Sequence, residues 1–125
     1  MAVYGFQRII IVRDYFAGGM EIAMNKNRRV YTKNEIKERL MPVFSRYGVK
    51  RAVLFGSYSK GTADSASDID ILVDSGLRGL AFVGLIEDIS EAVNKEVDLI
   101  DVTHVEHGSR VEEEIQNTGT EIYAE

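Results

Sequence analysis

Apolar positions recur at helical spacing just after residue 32, then gather into short runs separated by a second helical stretch. Ile36, Leu40, Val43, Phe44 and Tyr47 fall on one face of a helix whose other face carries Lys33, Lys37, Glu38 and Arg46. Thr32, with Glu35 three residues on, forms a capping box in which two side chains satisfy backbone donors that a helix start leaves unpaired. The helix is therefore expected to begin there. Pro42 removes one internal hydrogen bond and predicts a kink, and Gly48 supplies the stop. Ala52 to Phe55 is a short apolar run ended by Gly56, and Ile69 to Val73 is another, ended by Asp74, Ser75 and Gly76. Both read as strands. Between them Gly56 to Ser67, rich in glycine, serine and aspartate, reads as a loop with room for a brief helical turn. Leu80, Val83, Ile86, Ile89 and Val93 predict a second helix, and Val97 to Val102 a third strand. Val111 and Ile115, with Gly119 after them, predict a last helix and a short extended end through Ile122 and Tyr123.

Helices and strands that alternate with short connections predict an α+β domain, one mixed β-sheet flanked by helices. At 125 residues the chain suits a single core. The polar stretch Met24 to Arg29 is the one candidate boundary, which divides the chain into an N-terminal extension, 1–24, and a domain, 25–125. Met20 and Met24 are alternative candidate starts. Tyr4, Phe6, Ile9, Ile10, Ile11 and Tyr15 in the extension would either pack on the domain or form an interface between copies of the chain, with the balance toward the interface. The apolar run Ile9 to Val12 is far shorter than the roughly 18 residues of a membrane span and lacks the cleavage site of a secretory signal, which makes the cytoplasm the default expectation.

Composition narrows the chemistry. With no cysteine and two histidines, any metal must be held by oxygen, which favours a hard cation such as magnesium or manganese. His104 and His107, ahead of the last helix, read as surface or capping residues. A net charge of -5 lacks the basic excess of a protein that grips a phosphate backbone, so tight binding of nucleic acid is disfavoured.

Asp68 and Asp70 lie two residues apart in Asp68-Ile69-Asp70-Ile71-Leu72-Val73, so their side chains share a face, with α-carbons about 7 Å apart. A pair at a solvated strand end would be bland. The apolar neighbours instead mark a core strand, where an uncompensated charge costs several kcal/mol. A divalent cation is the natural compensation, because two such carboxylates converge on one ion or bridge two ions roughly 4 Å apart. Gly56 and Ser57 follow the first strand, where glycine lets a backbone approach a ligand closely and turn amides cradle anionic oxygens. Lys60 and Ser67 in the same loop join them as nucleotide-binding candidates, although a lone loop lysine is as often simply solvated. A third carboxylate, Asp98 or Asp101, interrupts the strand Val97 to Val102. The two point to opposite faces, so only one joins Asp68 and Asp70, and Asp101, near the strand end, reads as the surface residue.

Phe55-Gly56-Ser57, the ten residues from Tyr58 to Ser67, and the Asp68 to Val73 strand together resemble the signature of the minimal nucleotidyltransferases of the polymerase-beta superfamily. The resemblance runs from about Thr32 to Tyr123 and includes Val97-Asp98-Leu99 where that family carries its third aspartate. It implies a small polymerase-beta-like nucleotidyltransferase fold over 25–125. Gly56 and Ser57 would hold the triphosphate of a nucleotide, most often ATP. Asp68 and Asp70 would bind catalytic magnesium, and Asp98 the ion nearest the attacking hydroxyl. Small stand-alone members of that family are often antitoxins partnered with an all-helical HEPN-domain toxin, and some transfer AMP from ATP to a tyrosine of the toxin. The resemblance therefore implies adenylylation of such a partner. Two alternatives stand beside it: an antitoxin that acts by binding alone, and a transferase acting on a small molecule whose acceptor pocket a partner chain supplies.

Overall fold

The computed structural model describes residues 29–125. The extension 1–24, with the interface expected of it, lies outside the described residues. The first helix among the described residues, α1 (Lys33–Arg46), starts where the capping box predicts. The Thr32 hydroxyl accepts from the Glu35 amide at 3.1 Å and the Glu35 carboxylate from the Thr32 amide at 2.9 Å. Ile36, Leu40, Val43 and Phe44 are buried, while Pro42 faces solvent and the helix continues through it. The chain leaves α1 through Gly48, whose φ of 69° lies in the left-handed region that suits glycine.

The remaining elements are β1 (Arg51–Phe55), a one-turn helix α2 (Ser57–Lys60), β2 (Ile69–Asp74), α3 (Leu80–Val93), β3 (Val97–Asp101), a 3-10 turn over Val102–His104, α4 (Arg110–Thr118) and β4 (Thr120–Ala124). The brief helical turn expected within the Gly56 to Ser67 loop is α2. The four strands form one mixed sheet in the order β3-β2-β1-β4. β1 runs antiparallel to β2 and β4, and β2 parallel to β3.

Alternation along the strands sorts side chains into two cores. Ala52, Leu54, Ile69, Ile71, Val73, Val97, Leu99 and Ile122 face the larger one, which α1 and α3 close. Val53, Phe55 and Leu72 face the smaller one, which is covered by Val111 and Ile115 of α4 together with Ile100 and Val105. Arg110, Glu113, Gln116 and Asn117 of α4 are exposed, and its amphipathic pattern seats only one edge on the sheet.

Asp101 corrects an expectation. It is only 4% exposed, not a surface residue. Its side chain points to the face opposite Asp98. There it accepts from the Ser75 amide (3.1 Å) and hydroxyl (2.6 Å) and from the Thr103 amide (3.1 Å) and hydroxyl (2.7 Å). Those bonds turn the chain into the 3-10 segment, and β3 therefore ends at Asp101 instead of Val102. Burial pushes its carboxyl up, but the hydrogen bonds from Ser75 and Thr103 outweigh that and hold it below the ordinary carboxylate value.

Candidate active site

Asp70 and Leu72 share a face of β2, as Asp98 and Ile100 share a face of β3, and that is the face beneath α4. Parallel pairing sets Asp70 directly against Asp98, and antiparallel pairing sets Phe55, the residue before Gly56, against Asp70. The strand partners thus decide what the sequence left open: Asp98, not Asp101, stands beside Asp70. Asp68 lies one residue ahead of β2 and is exposed, whereas Asp70 and Asp98 are half-buried.

The charge on Asp70 is costly. Burial first, then the nearby Asp98, Glu114 and Asp68 carboxylates, push its carboxyl from 3.8 up to about 7. No hydrogen bond from a described residue offsets this. Glu114 is the site neighbour that the sequence reading missed. It sits on α4 between Val111 and Ile115, so the turn that seats α4 on the sheet also aims Glu114 at Asp70. The signal was a carboxylate at i+3 from Val111 on an otherwise apolar edge, and only the placement of α4 gives it meaning.

Gly56 occupies φ 73°, ψ -150°, a backbone region that is essentially glycine's alone. A Cβ there would come within 2.4 Å of the Asp70 carboxylate and 3.4 Å of Glu114 Oε1. The glycine is thus the gap through which the acidic cluster reaches the loop. Its amide is already engaged, donating to the Thr118 hydroxyl at 3.0 Å. Ser57 heads α2, half-buried, and Lys60 ends it, exposed. Ser67 uses its hydroxyl locally, accepting from the Asp64 amide at 2.9 Å and donating to the Asp64 carboxylate at 3.2 Å. A second basic residue, Lys95, reaches the same loop. It is half-buried ahead of β3 and donates to the Ser65 carbonyl at 3.3 Å; burial lowers its pKa, against the pull of Asp68 and Asp64. His104 and His107 are both exposed, as their sequence setting implies.

Among the described residues no three histidine, aspartate or glutamate side chains close into a ready-made metal cage. Magnesium does not need one, since it is commonly held by one or two carboxylates and completed by water and substrate phosphate. An all-oxygen donor set, with Asp70 and Asp98 adjacent and no hydrogen-bond donor to Asp70 among the described residues, suits a hard divalent cation.

Comparison with known proteins bears on the family and the fold. The family model described as polymerase beta, nucleotidyltransferase matches residues 34–125. A Methanocaldococcus jannaschii protein, provisionally named a protein adenylyltransferase, is 41% identical over 70 residues that span 54% of this chain and 74% of that protein. A chain of the crystal structure of a toxin-antitoxin with AMP-PNP superposes with a TM-score of 0.60 at 26% identity, covering 71% of this chain and 73% of that one. A chain of the complex of a tri-AMPylated Shewanella oneidensis HEPN toxin with MNT antitoxin superposes with a TM-score of 0.56, covering 75% of this chain and 74% of that one. At 22% identity this last likeness speaks for the fold alone. The glycine-serine turn, the paired strand aspartates and the extent of the family match lead to one conclusion: the chain belongs to the polymerase beta nucleotidyltransferase family.

Proposed function

We propose that the protein transfers AMP from ATP to a hydroxyl of a partner protein, and that the partner is a HEPN-domain toxin whose tyrosine is the acceptor. The observation that carries the reading is the Asp70–Asp98 pair, set side by side by strand register next to Gly56, where no described residue compensates the charge on Asp70. A fold under no catalytic demand gains nothing from that arrangement. The relative named for protein adenylyltransferase activity and the toxin-antitoxin structure with AMP-PNP support the same choice of substrate and partner.

In the transfer, an oxygen of the acceptor hydroxyl forms a bond to the α-phosphorus of ATP as the bond from that phosphorus to the β-phosphate's bridging oxygen breaks. Pyrophosphate leaves, and the hydroxyl proton passes to a carboxylate of the site or to water. Asp70 and Asp98, with Asp68 at the rim, would hold magnesium, which when bound neutralises phosphate charge and acidifies the hydroxyl. Gly56 leaves room for the phosphates to approach, and the Ser57 hydroxyl, engaged by no described residue, is available to them. Lys60 adds positive charge beside the loop. Holding acceptor and phosphorus in line is the main work left to the protein.

A role by binding alone would leave the cost at Asp70 without a purpose. Incubating the protein with labelled ATP, magnesium and its HEPN-domain toxin partner should label the toxin. An unlabelled toxin, with ATP bound normally, would sink the choice of acceptor. Toxin neutralised equally well by an Asp68→Ala, Asp70→Ala double variant would favour binding alone.

A further inference from the structure

Thr118, the last residue of α4, makes contacts that ending a helix does not require. Its hydroxyl donates to the Glu114 carbonyl at 2.7 Å, so its one proton is committed. The oxygen is then left as an acceptor, and the Gly56 amide donates to it at 3.0 Å. A second tie runs beside the first. The Ser59 hydroxyl donates to the Thr118 carbonyl, and the Thr120 hydroxyl lies 2.7 Å from Ser59 Oγ. Ser59 is buried, and the Gly56 carbonyl accepts from the Ser59 and Lys60 amides. The start of α2 is therefore fastened at both its peptide and its first turn to the junction of α4 and β4.

We propose that Thr118 is a positioning residue for the nucleotide loop, acting through Gly56; this rests on the reading of Gly56 and Ser57 as nucleotide-binding. Gly56 holds a backbone conformation with no steric preference of its own, because glycine enters many regions at similar cost. A directed hydrogen bond is needed to select one. The Thr118 oxygen fixes which way the Gly56 peptide turns, and with it where Ser57 stands. Since α4 also carries Glu114 towards Asp70, the same helix sets the loop and the acidic cluster at a common distance.

The test uses the full chain and measures ATP affinity in magnesium by calorimetry for the wild type, Thr118→Val and Thr118→Ser. Valine keeps the shape and removes both hydrogen bonds, so ATP should bind about tenfold more weakly, the typical effect of one unsatisfied buried donor. Serine keeps the hydroxyl and should restore binding to within about twofold. A valine variant that binds ATP like the wild type, beside a wild type that does bind, overturns this inference alone. A wild type that binds no ATP overturns the functional reading, and this inference with it. Amide exchange of the wild type covers the case of a valine variant that does not fold: Gly56 should be as protected as neighbouring β1 amides, and rapid exchange at Gly56 would overturn the proposal.

Discussion

Replacing Asp70 by asparagine should make the metal-free protein more stable at pH 8 while removing its activity. The carboxyl is moved from 3.8 to about 7 by burial and by Asp98, Glu114 and Asp68. Fully expressed, a displacement of that size is about 4 kcal/mol against the charged form. Asp70 is only half-buried and its neighbours are screened by water, so about 2 kcal/mol is the realistic figure. The sign follows from the protons. Between about pH 4 and pH 7 the folded protein holds a proton on Asp70 that the unfolded chain has released. Stability from this group is thus highest at the acid end of that window and falls as pH rises to about 7, above which the whole cost is present. Asparagine carries no charge at any pH. The gain from Asp70→Asn should therefore be about 2 kcal/mol at pH 8 and nearly absent at pH 4. Urea denaturation followed by circular dichroism in EDTA, at pH 8, 6 and 4, measures it. Glu114→Gln should give a smaller gain of the same sign, because Glu114 is one of several causes. An asparagine variant no more stable than the wild type at pH 8, or one whose gain is the same at every pH, would refute the reasoning.

Asp101→Ala should behave in the opposite way, costing about 3 kcal/mol at pH 7 because it strands the Ser75 and Thr103 donors that the carboxylate now accepts from. Asp101 is held below its ordinary pKa, so its contribution is complete above about pH 4 and is lost only under more acid conditions, which denaturation at pH 7 and pH 3 will reveal. Gly56→Ala should lower stability by more than about 1 kcal/mol, since alanine is strained at a φ of 73°. Its Cβ would also displace the Asp70 carboxylate, so loss of ATP binding by calorimetry should exceed what the change in melting temperature explains. Magnesium should raise the melting temperature of the wild type and leave that of Asp70→Asn unchanged; an equal rise in both would remove Asp70 from the metal site.

Local signals carried much of the fold. The capping box of Thr32 and Glu35 marked the start of α1, the run from Leu80 to Val93 gave α3 its bounds, and the apolar run from Ile69 to Val73 marked β2. These succeed because caps and periodicity depend on residues within a turn or two of one another. The Gly56-Ser57 turn and the Asp68, Asp70 pair were legible for the same reason. What the sequence left open depends on which strands and helices meet. Parallel pairing of β2 with β3 put Asp98, not Asp101, beside Asp70, and the far face of β3 gave Asp101 a buried structural role that position near a strand end did not suggest. Glu114 looked like one of several acidic residues on an exposed helix until α4 was seated over the smaller core. Thr118 looked like a helix end until its hydroxyl met Gly56, 62 residues away in the chain. Contacts of that span have no local pattern, because their partners are chosen by the packing of whole elements, and it is the packing of α4 on the sheet that turned a readable pair of aspartates into a candidate site.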